Sequence, residues 1–136
     1  MLPVGSVRSR DTFLNSGRKM SRPLLTGDVV IEAGRAFSGA RMRIILEDVS
    51  RVDAASVGVA EQIIDSVSYD PTDGASLAFS LHGEVPDDRA NYAVRVHIDV
   101  DRDGRVSRGD YITMESYPVL TQGHPERVIV RVREVK

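Results

Sequence analysis

From Leu24 onward the chain alternates apolar and polar residues with a period of two, and this pattern recurs between turn signals almost to the C-terminus. Such alternation is the mark of strands with one buried face, and it excludes a helical bundle. Thr26 to Glu32 contains Val29, Val30 and Ile31 and stops at the Gly34 turn. Arg41 to Glu47 places Met42, Ile44 and Leu46 on one face and Arg41, Arg43 and Glu47 on the other. Val57 to Val67 is mixed, because Val59, Ile63 and Ile64 also suit a helix; β-branched content, Gly58 and Pro71 favour a strand. Leu77, Phe79 and Leu81 form the next apolar face, and Val94, Val96 and Ile98 do so within Tyr92 to Val100. Asp110 to Tyr117 reads as a shorter strand ended by Pro118, and Val128, Val130 and Val132 alternate with arginines in the last one. Seven strands at this spacing predict an all-β fold, a seven-stranded antiparallel β-sandwich of the transthyretin-like or immunoglobulin-like kind.

Charge marks a boundary. Residues 1–23 carry Arg8, Arg10, Arg18, Lys19 and Arg22 against Asp11 alone, so this segment is +4 and the remainder −6 of a total of −2. It contains no apolar stretch of the length a secretory signal needs. Residues 1–23 therefore read as a disordered basic tail and residues 24–136 as the folded domain, with Met20 a second candidate start. An acidic domain does not suit nucleic acid, whose phosphates need clustered cations. With no Trp and only 3 Phe and 4 Tyr, it lacks stacking platforms for bases as well. No apolar run approaches the roughly 18 residues of a membrane span. The absence of Cys excludes disulfides, thiol nucleophiles and sulfur-ligated zinc. On the sequence as given the expected location is cytoplasmic, or periplasmic if export uses a signal not visible in it. Oligomeric state is left open.

One motif carries chemistry. Asp99-Val100-Asp101-Arg102-Asp103-Gly104-Arg105-Val106-Ser107-Arg108-Gly109-Asp110 matches the twelve-residue calcium loop position by position. Asp99, Asp101 and Asp103 supply three carboxylates, Arg105 a backbone carbonyl, Ser107 a hydroxyl or a bound water, and Asp110 closes the set. Gly104 falls at the sharp turn. The flanks alternate with a period of two, so the loop joins strands, and no helix pair exists to open as in a calcium sensor. The expected role is a structural calcium ion locking a hairpin. Arg102, Arg105 and Arg108 reduce the loop's charge to −1, and Asp at the closing position reaches less far than Glu, so the affinity should be weak. The competing reading is an acidic hairpin turn around Asp103-Gly104 in a purely structural domain with no metal. His97, Asp99 and Asp101 read as solvated neighbours, and Asp87-Asp88 as a turn. There is no nucleophile elbow, phosphate loop or dinucleotide fingerprint, and the chain reads as non-enzymatic. A metal-dependent enzyme using the acidic loop is the alternative.

Leu46-Glu47-Asp48-Val49-Ser50-Arg51-Val52-Asp53-Ala54, with Ala60-Glu61-Gln62, resembles the YbaY/YscW-type lipoproteins. So do Tyr92-Ala93-Val94-Arg95-Val96-His97-Ile98-Asp99 and Ser116-Tyr117-Pro118-Val119-Leu120-Thr121. The resemblance spans roughly residues 24–135 and implies a compact β-sandwich without catalytic residues. Some members of that family are pilotins, lipid-anchored chaperones that help a type III secretin assemble in the outer membrane. The anchored members carry a signal peptide and a lipidated Cys, and this sequence has no Cys. The expected partner is a protein or peptide segment added at an open sheet edge, with no nucleic acid and no membrane insertion.

Overall fold

The computed structural model describes residues 23–51, 55–73, 76–84 and 86–136. The basic tail expected over residues 1–23 lies, apart from Pro23, outside the described residues. Eight strands and no helix are found among the described residues: β1 (Leu25–Ile31), β2 (Phe37–Asp48), β3 (Val57–Tyr69), β4 (Leu77–Leu81), β5 (Tyr92–Asp99), β6 (Tyr111–Ile112), β7 (Pro118–Val119) and β8 (Arg127–Glu134).

The all-β expectation holds, but the arrangement differs from a seven-stranded antiparallel sandwich. The strands form one hydrogen-bonded path, β3-β2-β5-β6-β8-β1-β4, with β7 beside β5. The path curls until its two end strands meet, where Ser80 N–H on β4 donates to Gln62 Oε1 on β3 at 2.9 Å. The sheet is therefore nearly closed and barrel-like. It is also mixed, because β1 and β8 run parallel from Thr26↔Arg127 to Ile31↔Val132. Alternation reports which face of a strand is buried; it carries nothing about the direction of the neighbour, so the parallel pair was invisible in the sequence.

The segment predicted as one strand from Asp110 to Tyr117 is broken into pieces. Tyr111 and Ile112 pair with β5, and Thr113 N–H still reaches Val96 O at 3.1 Å. Met114, Glu115 and Ser116 then leave the ladder and are exposed, and the chain rejoins where Val94 N–H donates to Tyr117 O at 3.1 Å. Val57 to Val67 is a strand, as expected, extended to Tyr69.

The core is aliphatic. Met42, Ile44, Leu46, Val94, Val96 and Ile98 from β2 and β5 face Leu25, Val29, Leu81, Val130 and Val132 from the other side of the curl. Each fully buried side chain of this kind contributes roughly 1.5–3 kcal/mol. Gly27 permits the parallel pair to close: a Cβ there would lie 2.2 Å from Val128 O and 2.7 Å from the Phe79 ring. At the β2–β3 pair the partners step from Leu46↔Ala60 to Glu47↔Gly58, leaving Val59 as the extra residue of a bulge.

Candidate functional site

The acidic loop begins as β5 ends and returns the chain to β6. Asp99, Asp101, Asp103 and Asp110 each offer a carboxylate oxygen, and these oxygens lie within 4.8 Å of one another. The sequence therefore selected four side chains that the fold brings together. Asp99 is 3% and Asp110 0% exposed, whereas Asp101 and Asp103 are on the surface. The buried pair is held by backbone donors. Asp99 accepts from Asp103 N–H at 3.3 Å and Gly104 N–H at 2.8 Å. Asp110 accepts from Val100 N–H at 3.0 Å and Ser107 N–H at 3.1 Å. These bonds orient each carboxylate without cancelling its charge. Gly104 has φ +81°, the left-handed turn for which glycine is suited.

The remaining predicted ligands are placed as follows. Ser107 Oγ lies 3.1 Å from Asp101 Oδ2 and 3.4 Å from Asp110 Oδ2, inside the cluster. Arg105 donates its N–H to Asp103 Oδ1 at 2.9 Å and keeps its side chain in solvent. Arg102, whose charge sits within the motif, turns away from it. Its guanidinium donates to Gly39 O, to Asp65 O and to Asp65 Oδ1 at 3.1, 2.6 and 3.2 Å. Hydrogen bonds from Arg102, then from Arg41, hold the Asp65 carboxyl below its ordinary range.

His97 is the residue that sequence reasoning set aside. Its Nε2 lies 2.9 Å from Asp110 Oδ2, and His97, Asp99 and Asp110 form a second group of converging ligand atoms. The signal was present in the two-residue spacing of His97 and Asp99, which share one side of β5. What the sequence could not supply was Asp110 folding back beneath both.

A second site was missed altogether. At the start of β3 the inner face of the sheet opens to solvent. One side of this opening is a cleft lined by Leu24, Leu46, Val59, Gly83, Pro86 and Tyr92. The other is lined by Val57 and Ala90 together with Asp48, Arg51, Asp87 and Arg89. Val57 is 63% and Val59 46% exposed on an end strand, with Ile63 farther along at 53%. The bulge displaces Val59 from the ladder, and no described strand covers it.

The loop over residues 86–91 that borders both clefts is fixed from the turn after β7 and from the start of β5. Thr121 Oγ1 donates to Ala90 O at 2.6 Å, Gln122 Nε2 to Asp88 O at 3.1 Å, and Asp87 N–H to Tyr92 Oη at 3.0 Å. Leu120, with φ +75°, sits at the centre of a tight turn closed by Thr121 N–H to Val119 O at 2.9 Å. A bulky residue in that conformation is strained, and the strain is sustained by the contacts that hold this loop.

With this geometry in hand, comparison with known proteins is decisive on family. The model of the type III secretion system lipoprotein chaperone (YscW) matches residues 20–132. The chain belongs to the YscW family. This YscW-family chain is also similar to a solved structure of an alternative pilotin from the type II secretion system of Vibrio cholerae. Sequence identity is 25%, the TM-score is 0.65, and the match covers 82% of this chain and 96% of that one. A comparison with curated protein sequences returns no significant match.

Proposed function

We propose that the protein is a non-enzymatic chaperone-type module that holds a segment of a protein partner at the open end of β3. The observation that carries this reading is the exposed apolar run at Val57 and Val59, covered by no strand among the described residues, which adjoins clefts leading to the core residues Leu46 and Tyr92. Soluble domains rarely leave apolar surface uncovered on a sheet edge, because it promotes association. Membership of a lipoprotein-chaperone family and similarity to a pilotin support a partner-binding role over an enzymatic one.

The acidic loop is assigned calcium, bound by Asp99, Asp101, Asp103, Ser107, Asp110 and the Arg105 carbonyl. A dissociation constant on the order of 10⁻⁵ to 10⁻³ M fits its reduced charge and its short closing residue. The ion would tie the end of β5 to the start of β6 and act on stability.

Co-purification of a partner with the full chain tests the binding reading. Val59→Asp should abolish recovery, while Ile129→Asp, at an exposed site on β8, should leave it intact. Recovery that is equal in both variants refutes the assignment of the surface.

A further inference from the structure

The described chain enters the fold at the open end of β3. Leu24 N–H donates to Leu81 O at 2.8 Å, and Leu24 lines the same cleft as Val59, Leu46 and Tyr92. Gly83 sits between the two strands: a Cβ there would lie 3.3 Å from Leu24 Cδ1, 3.5 Å from Ala60 Cβ and 3.7 Å from Val59 O. Whatever precedes Leu24 is therefore delivered to the mouth of this cleft. Residues 1–22 precede it, and they hold Phe13 and Leu14 side by side, with Leu14 ten positions before Leu24. Charge on the rim chooses no occupant, since Glu84 and Arg51 stand on it with opposite signs. Tethering does choose. A segment joined to its site by a short linker is presented to it at an effective concentration on the order of 1 mM. That concentration falls roughly as the −3/2 power of linker length, which favours Phe13 and Leu14 about threefold over Leu2 and Val4. Met20 is nearer but offers a single apolar side chain, beside Lys19.

We infer that residues 1–22 fold back onto this cleft, with Phe13 and Leu14 against Val59, and that a partner segment binds by displacing them. This rests on the proposed partner-binding function and adds its regulation: the cleft is self-occupied until a tighter segment arrives. Covering Val57 and Val59 in this way also removes an apolar edge that would promote association. A segment with an intrinsic dissociation constant of about 0.1 mM, tethered at about 1 mM, weakens a competitor's apparent affinity about tenfold.

The test uses the full chain with a benzophenone amino acid at position 59, purified without a partner. Irradiation and peptide mapping should join position 59 to the tryptic peptide of residues 11–18 in the same molecule, with a yield unchanged on dilution. Phe13→Ser with Leu14→Ser should remove this adduct, and the exchange Phe13→Leu with Leu14→Phe should keep it. A labelled peptide of residues 8–19, read by fluorescence anisotropy, should bind the double-serine variant about tenfold more tightly than the wild type. Adding Val59→Asp to that variant should abolish the binding. Amide NMR shifts between the wild type and the double-serine variant should cluster at residues 57–60 and 83–90. No adduct, an adduct that maps elsewhere, equal binding of the peptide to both chains, or shifts confined to other residues overturns the inference. An adduct that joins two chains and is lost on dilution also overturns it, by making a second copy the occupant. If the double-serine variant changes nothing while Val59→Asp still loses the partner, the self-occupancy fails and the partner-binding reading stands. If the adduct to residues 11–18 forms and partner recovery ignores Val59→Asp, the partner-binding reading fails instead.

Discussion

Asp101→Asn should change the sign of its effect on stability when calcium is added. Asp101 is exposed and lies in a group of four carboxylates whose oxygens are within 4.8 Å of one another. Two unit charges at that distance repel by about 3.5 kcal/mol at an effective dielectric of 20 and by about 0.9 kcal/mol in water. Exposure and salt place the working value near the lower figure, about 1 kcal/mol. Asparagine keeps an oxygen for Asp103 N–H, now 3.3 Å from Asp101 Oδ1, and removes the charge. In chelator the variant should therefore melt about 4 °C above the wild type. With calcium at 100 times the dissociation constant, the wild type gains about 2.7 kcal/mol, or roughly 10 °C. A variant weakened about a hundredfold would gain only about 0.4 kcal/mol, so the order of melting temperatures inverts. Differential scanning calorimetry in chelator and in millimolar calcium reads both. The same order in both buffers, or no calcium shift in the wild type, refutes the assignment of the loop.

Other consequences follow from packing and charge. Gly27→Ala should destabilise the fold by about 2 kcal/mol or more, because the new methyl meets the Val128 carbonyl as well as the Phe79 ring; urea unfolding checks it. Ile44→Ala, fully buried on β2, should cost about 2–5 kcal/mol in the same assay without changing calcium binding. The Asp65 carboxyl is depressed in the fold by Arg102 and Arg41. Its contribution to stability is thus complete above its unfolded value near pH 4 and is lost as pH falls through the lower folded value. Asp65→Asn should flatten that part of the acid-unfolding curve and leave stability at pH 9 changing little with pH.

Much of this molecule was legible because burial and periodicity are local properties. The strand faces named from alternation pack on the core: Met42, Ile44 and Leu46 and Val94, Val96 and Ile98 are buried, and Leu77 and Val128 partly so. The convergence of the four acidic-loop carboxylates was legible for the same reason, since they lie within one short segment whose offsets the backbone fixes. Long-range relations were not. The parallel β1–β8 pair joins residues about a hundred positions apart, and nothing in either segment states the other's direction. His97 reaches Asp110 only because the intervening loop doubles back. The opening at β3 arises from a bulge and is bordered by a loop held by Thr121 and Gln122. In the sequence Val57 and Val59 are ordinary strand residues, and only the tertiary arrangement leaves them exposed.

The proposed binding surface is tested most directly by photocross-linking in the cells that make the protein. A benzophenone amino acid is placed at position 59 or, as a control, at position 129, both more than 40% exposed. The account predicts one adduct of discrete mass from position 59, joining it to a segment of a partner protein, and none from position 129. Equal labelling from the two positions, or no adduct from position 59 while the partner is still bound, would contradict it.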